Sequence, residues 1–436
     1  VKHQFTFAKN ISMTRIVCFG PGPQFKGGIA NYNTSLAKAF DKIPDTEVII
    51  VSWTQQYPAI IPRDFIDRKS IKDQLEGTRI KVHYVTNYNN PASWQKTIRL
   101  IRSLQADMVI FQWAIAVQGL PLGYIARGLK KLPNTKVIFD LHFVIQKEGS
   151  ALDNRFTRLG IGHADAYVVH AGQTADQLKQ LFPKKQFAVV NDNEKIAPKT
   201  KKVVRLFHPV YDMFQPNPNF DKEGQKAQMG LKKNVFLFFG FIRKYKGLHQ
   251  AIEAFARLNE ERNDVSLLIV GESFWNTLDN KKLSTRIKSG LFGFAKKLFL
   301  RQQDDERNYN PLELIEKYKL QDSTFVVNEF VPNEEVAKYF QVSDNLLLFY
   351  LTATPSGVES IGYNFNMPMV ATKVGHFTET IKDGFNGYLA ADRDIASMKT
   401  TMQKAIENPI DRKNVAATSK NMSWEAYATA ILTYLK

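Results

Sequence analysis

Arg243 and Lys246 stand three residues apart in Phe238-Phe-Gly-Phe-Ile-Arg-Lys-Tyr-Lys-Gly247, directly after an apolar run. Arginine can fork two N–H bonds onto one phosphate, and lysine adds a compact point charge. The pair reads as an anion clamp, or, with Lys244 adjacent, as a solvated basic turn. A second candidate is Thr352-Ala-Thr-Pro-Ser-Gly357, which follows the apolar run Asn345–Leu351 and opens a helical segment. Small residues between a buried strand and a helix can leave backbone N–H groups free for an anion. Ser356 adds a hydroxyl, and Gly357 permits close backbone approach. On local grounds alone, a plain strand-to-helix turn with Ser near the N-cap is the better reading.

Other residues sit where a ligand could reach them. Gly27 and Gly28 close the turn Gly20-Pro-Gly-Pro-Gln-Phe-Lys-Gly-Gly28 after the first strand-like run. Their spacing misses the dinucleotide G-x-G-x-x-G pattern, which leaves a phosphate turn or a tight structural turn. His142 follows the run Val137–Leu141, placed either to meet a sugar hydroxyl or act as a base, or to satisfy a loop carbonyl. His170 and His208 also end strand-like runs, and structural roles suit them better. Glu272 and Glu359 could hold a sugar or ribose hydroxyl, or serve as helix N-terminal charges. Asp392 and Asp394 resemble a metal pair but precede the helical run Ile395–Ile406, so N-capping is preferred. No His/Cys cluster has zinc spacing, and no G-x-S-x-G elbow is present.

These positions need strand ends to hold them. Strand candidates are Arg15–Phe19, Val48–Trp53, Ile80–Val85, Met108–Trp113, Val137–Leu141, Ala166–His170 and Val203–Phe207. The stretch 183–202 is polar and rich in Lys and Asn, and a Pro/Asn-rich one after Pro209 reads as loop. The pattern restarts with Val235–Phe239, Val265–Val270, Thr324–Val327, Leu346–Leu351 and Met369–Val374. Helical stretches alternate with these runs, which implies parallel α/β sheets whose ligands bind at the strands' carboxyl ends. The expected division is an extension over 1–12, one Rossmann-like domain over 13–205 and a second over 206–415. A closing segment, 416–436, is expected to pack back on the first domain.

At 436 residues the chain exceeds one ordinary core. A single cysteine, Cys18, argues against a disulfide framework and for a reducing, cytoplasmic compartment. The longest apolar candidate for a span, around Val109–Ala126, is interrupted by Gln112, Gln118 and Pro121. The first residues lack the apolar core of a signal peptide. A net charge of +17 points to an anionic partner. In the segment 281–301, Leu283, Ile287, Leu291, Phe294 and Leu298 share one helical face, and lysines and arginines fill much of the rest. Such a helix suits the anionic inner face of a membrane as well as an ordinary core-facing position.

Taken together, these motifs resemble glycosyltransferase family 4. The resemblance rests on FFGFIRKYKGL at 238–248, SGVESIGYNFNMPMVATKVGHFTETIKDGFNGYL at 356–389, Ser423-Trp-Glu425, Gly27-Gly28, Phe111-Gln-Trp113 and His142-Phe-Val144 with Glu148. It implies a GT-B fold, two Rossmann-like domains facing across a cleft, and sugar transfer with retention from a nucleotide-diphosphate sugar. That sugar is a co-substrate; no cofactor, metal or nucleic acid is implied. Arg243 and Lys246 match the family's diphosphate-binding pair, and His142 its histidine near the donor sugar. Gly27 and Gly28 match its glycine loop. Asn328 to Val331, Phe330 included, match the strand end beside the nucleobase. Glu272, Thr354, Ser356, Gly357, Val358 and Glu359, read from their own positions, complete the expected donor site, and Glu379 matches a loop-stabilising glutamate of the family. Many members carry two glutamates that bind donor sugar and ribose; counted back from Pro368, those places hold Ala353 and Ile361. Backbone N–H groups and Ser356 are therefore expected to carry more of the binding. The expected acceptor is a glycan or lipid-linked glycan of bacterial surface polysaccharide synthesis. A GT-B sugar-nucleotide epimerase and a non-catalytic nucleotide-sugar or glycan scaffold are the alternatives.

Overall fold

The computed structural model of the chain describes residues 13–57, 65–145, 151–192, 194–273 and 309–435. The basic segment 281–301, Glu148 and residues 1–12 lie outside the described residues. The strands, in chain order, are β1 (Thr14–Phe19), β2 (Thr46–Gln55), β3 (Lys81–Asn87), β4 (Met108–Trp113), β5 (Lys136–Leu141), β6 (Ala166–Val169), β7 (Phe187–Val190), β8 (Lys201–Arg205), β9 (Asn234–Phe239), β10 (Val265–Val270), β11 (Thr324–Val327), β12 (Asn345–Leu348), β13 (Met369–Thr372) and β14 (Gly387–Ala390). They form two parallel sheets, ordered β3-β2-β1-β4-β5-β6-β8-β7 and β11-β10-β9-β12-β13-β14.

Central strands such as β4 (MVIFQW) and β10 (VSLLIV) are buried along their whole length. Helices cover both faces of such sheets, so the strands read as continuous apolar runs rather than alternating ones. Two strands escaped the sequence reading. β7 lies within the polar stretch 183–202, where no strand is expected; it is an edge strand, and only Val190 in it is buried. β14 is four residues long, at the edge of the second sheet. Short edge strands carry the weakest hydrophobic signal.

The inner faces of the sheets join in one apolar cluster that includes Ile50 and Ile110 of the first and Leu237 and Leu346 of the second. Tyr211 and Phe214, in the connecting segment, and Trp424 belong to the same cluster. The closing helix, Trp424–Leu435, buries Trp424, Tyr427, Ala428, Ile431 and Leu435. It packs on the first domain, where Trp424 meets Tyr32 edge-on at 4.8 Å and Lys42 reaches Glu425 at 2.6 Å.

A buried carboxylate fastens this helix. Asp140 Oδ2 accepts bonds from Tyr32 Oη at 3.0 Å and Tyr427 Oη at 3.1 Å, and its Oδ1 lies 2.8 Å from His170 Nε2. Burial alone would push the Asp140 pKa up, but His170, His142 and Tyr32 outweigh it and hold the group below the ordinary carboxylate value. Removing one member of such a set leaves the others buried and unpaired. Asp140→Asn is expected to cost about 3 kcal/mol of stability, measured by urea unfolding. A depressed carboxylate stabilises above its unfolded pKa and loses that contribution as pH falls through the folded value. The difference between wild type and Asp140→Asn should therefore be constant near neutrality and shrink only in strong acid.

Candidate functional site

A cavity of about 270 Å³ opens in the cleft at the carboxyl ends of the strands. The turn after β1 supplies Gly27 and the helix it opens supplies Gly28 and Asn31, while the segment after β9 supplies Gly240, Phe241, Tyr245 and Lys246. Gly271 and Glu272 follow β10, and Glu329, Phe330 and Val331 follow β11. Tyr350 and the turn Thr354–Val358 follow β12, with Ile361 one helical turn on. The separate motifs thus meet in one place, where parallel sheets present ligand sites.

Two helix N-termini converge here. The helix Gly28–Asp41 starts after Gly27, whose φ of 102° suits glycine, and no side chain caps it. The helix Gly357–Asn364 starts after Ser356, whose hydroxyl makes no capping bond. First-turn N–H groups without side-chain caps, with the helix dipoles, give this wall the chemistry to accept an anion. Tyr211 ties the two turns together. Its hydroxyl donates to the Gly28 carbonyl at 2.9 Å, and a Cβ on Gly357 would stand 3.0 Å from its ring.

Lys246 is the cation on the opposite wall. It is 7 % exposed, and its Nζ lies 3.4 Å from the Phe239 carbonyl. Burial first, then the charge of Arg243, lowers its pKa to about 7. Gly240, at φ 90°, makes room for it, because a Cβ there would come within 2.8 Å of Nζ. Arg243 is half-buried, precedes the short helical turn Lys244–Lys246, and holds its guanidinium 5.8 Å from the centre of the Tyr245 ring. It is close enough to act on Lys246 electrostatically, although its side chain is not part of the cavity wall.

Three further candidates stand outside the wall. His142 packs edge-on to Tyr32 at 4.6 Å, with Nε2 2.8 Å from Gln112 Oε1. Burial, followed by the effects of Asp140 and His170, leaves its pKa at about 4, so it is neutral at physiological pH. Asn328 accepts the Ser273 N–H at 2.8 Å and braces the ends of β10 and β11. Glu359 is turned away from this cavity: at 100° per residue, positions 357, 358 and 361 share one helical face and 359, 360 and 363 the other. The places where the resemblance anticipates glutamates are apolar. Ala353 is 2 % exposed and packs on Gly375, where a Cβ would stand 2.1 Å from its carbonyl; Ile361 forms wall.

Sequence reasoning missed Tyr211, Phe214 and the residues that close the rim, for which no spacing pattern exists. Lys69 bridges to Glu329 at 2.5 Å, and Glu334 accepts the Ile71 and Lys72 N–H groups at 3.2 and 2.8 Å. Lys26 stands 4.9 Å over the Phe330 ring. Glu379 accepts from Arg205 at 2.7 Å and from the Gly172 N–H at 3.4 Å, so its side chain bridges to the first domain. Asp394 caps the helix Ile395–Glu407 through the Ser397 N–H, matching the N-cap reading. Among the described residues no cluster of His, Cys, Asp or Glu is arranged to hold a metal, and no helix is long and apolar enough to cross a membrane.

Residues 219–422, most of the second domain, match the family model described as "Glycosyl transferases group 1". The chain is 26 % identical over 252 residues to a D-inositol 3-phosphate glycosyltransferase of Nocardioides sp., covering 52 % of this chain and 47 % of that protein. It is 23 % identical over 203 residues to spore coat protein SA of Bacillus subtilis, covering 45 % and 47 %. The chain thus spans about half the length of the curated relatives it matches. Among solved structures it is similar to Anabaena Alr3699/HepE in complex with UDP and glucose, at 15 % identity and TM-score 0.61, over 97 % of this chain and 95 % of that one. It is also similar to sucrose-phosphate synthase of Thermosynechococcus elongatus, at 14 % identity and TM-score 0.61, over 95 % and 96 %. These likenesses show the fold: two Rossmann-like α/β domains in the GT-B arrangement.

Proposed function

We propose that the chain is a glycosyltransferase that takes a sugar from a nucleotide-diphosphate donor and passes it, with retention, to a glycan or lipid-linked acceptor. The observation that carries this reading is the meeting of Lys246 with two helix N-termini in one cleft cavity. In the proposed reaction, the bond from C1 of the sugar to the phosphate oxygen breaks, and a bond to the acceptor oxygen forms on the same face. The acceptor proton passes to the departing phosphate oxygen. Negative charge grows on the diphosphate as it leaves. Lys246 and the N–H groups of the turn Thr354–Val358 stabilise it in this reading, with Arg243 adding positive charge from outside the cavity wall. His142, neutral and bonded to Gln112, serves this reading as a positioning residue behind Tyr32 and not as a proton carrier. The rim contacts from Lys69, Ile71 and Lys72 hold the domains together around the donor and exclude water.

The test is a calorimetric titration with UDP, GDP, ADP and their sugars, then product analysis with and without lipid-linked acceptors. One nucleoside diphosphate is expected to bind at micromolar concentration, and its sugar to be transferred only when acceptor is present. If none of the panel binds below about 1 mM, the donor assignment fails. Ala353 and Ile361, standing where carboxylates were anticipated, favour one second reading: a nucleotide-sugar-binding scaffold. Tight donor binding without product from any acceptor would identify it. Sugar conversion without acceptor would identify an epimerase.

A further inference from the structure

On the far side of the helix Gly357–Asn364 lies a second cavity, of about 250 Å³, which shares no lining residue with the cleft cavity. Both domains build it. His170 and Arg205 come from the ends of β6 and β8, and Glu359, Tyr363, His376 and Thr380 from the second domain. The same helical periodicity that aims Gly357, Val358 and Ile361 at the donor aims Glu359 and Tyr363 here.

Its polar groups are buried and incompletely matched. His376 is 5 % exposed, and its Nδ1 has no hydrogen-bond partner among the described residues. Its Nε2 lies 3.7 Å from Glu359 Oε2. Glu359 is 2 % exposed and accepts a bond from Thr380 Oγ1 at 2.5 Å. A buried polar atom left without a partner is costly, so a ligand able to reach it gains more than it would at the surface.

Charge narrows the ligand class. Burial foremost, with His170 and Arg205 adding to it, holds the His376 pKa at about 4, so the imidazole is neutral near pH 7. Burial raises Glu359 to about 7, against bonds from Thr380 and Tyr363. Arg205 is already paired with Glu379. The lining therefore offers donors and acceptors with little net charge. Two carboxyl groups in the wall work against an anion, and the described residues lack a cluster suited to a metal. Phe207 and Tyr363 add flat apolar surface of the kind that packs on the C–H face of a ring. The volume is below the roughly 300–1,000 Å³ of sites for drug-sized ligands and has room for one small ring.

We propose that this junction cavity is a second binding site, separate from the donor pocket, for a neutral cyclic polyol of monosaccharide size. Its hydroxyls pair with His376 Nδ1 and Glu359, and its occupancy ties the two domains together at a point remote from the diphosphate. The proposal does not depend on the donor reading, because binding is read with and without nucleotide.

The experiment is saturation-transfer NMR on the full chain with glucose, galactose, mannose and myo-inositol, repeated with UDP at saturation. At least one compound is expected to bind saturably in the millimolar range, and UDP should leave that binding in place. His376→Ala is expected to weaken it at least about tenfold and Thr380→Val about threefold, the losses of a buried hydrogen bond and of a weaker one. UDP affinity, where measurable, should change less than twofold in both variants, and circular dichroism should report them folded. No saturable signal up to about 20 mM would overturn the proposal. So would displacement by UDP-sugar, loss in Lys246→Ala in place of His376→Ala, or displacement by inorganic phosphate.

Discussion

Lys246→Met is expected to lower sugar transfer by about 10²–10³-fold, the loss that follows removal of one charge donor from a transition state. The same variant is expected to melt at a higher temperature than the wild type when no ligand is bound. Both effects come from one fact. Burial and Arg243 hold the Lys246 pKa at about 7, so folding opposes its charged form. In the unfolded chain its pKa is the ordinary ~10.4. Between these values the unfolded state binds more protons, and this residue's contribution to stability improves as pH rises. Methionine removes the penalty and keeps much of the side-chain volume. A diphosphate beside Lys246 favours the ammonium and raises its pKa. Binding then takes up a proton from about pH 7 upward, and donor affinity falls as pH climbs through that window. Calorimetry in buffers of different ionisation enthalpy measures the uptake directly, and the uptake should vanish in Lys246→Met. Arg243→Ala tests the partner charge: transfer should fall about 10²-fold, and the Lys246 pKa should rise. Turnover within threefold of wild type in both variants would remove the clamp from the mechanism.

Much of this architecture was legible in the sequence because parallel strands covered on both faces read as unbroken apolar runs. Val265–Val270 was recognised to the residue. The edge strands β7 and β14 were not: β7 is short and half-covered, and β14 is only four residues long, too short for a periodicity to show. The turns that line the cleft cavity were legible because their glycine, serine and basic residues follow the strands directly. What sequence could not show is which way a helical residue faces. Glu359 stands two residues from Gly357, and that offset turns its carboxyl to the opposite side of the helix. His142 is at a strand's carboxyl end, as anticipated, but Tyr32 lies against it, and that contact joins residues 110 apart in sequence. Tyr211 was invisible for the same reason. Its importance lies in touching Gly28 and Gly357 at once, a long-range coincidence without a local pattern.

The construction of the cradle also identifies its most sensitive backbone position. Gly247 stands at φ 66° between Lys246 and the helix Leu248–Asn259. A Cβ there would lie 1.8 Å from the Phe349 carbonyl oxygen. That oxygen belongs to backbone and has no rotamer by which to withdraw. The chain just beyond it is tied back to the clamp, because the Leu351 N–H donates to the Tyr245 carbonyl at 2.7 Å. The two halves of the cradle, one after β9 and one after β12, are therefore joined where only glycine fits. Gly247→Ala adds a left-handed conformation costing about 1–2 kcal/mol to a clash that separates the halves. A total loss of about 3–5 kcal/mol is expected, at the upper end for single substitutions. Relief of the clash moves Phe349 outward, and with it Tyr350 and the turn that carries Ser356. Any protein that still folds should therefore lose nucleotide binding as well as stability. Gly230→Ala is the control: Gly230 has nearly the same φ, 65°, but nothing within 4 Å of the added Cβ. Urea unfolding of the two variants separates backbone strain, which both share, from the clash, which only Gly247→Ala meets. Equal losses in the two would show that the contact with Phe349 does not hold the cradle together.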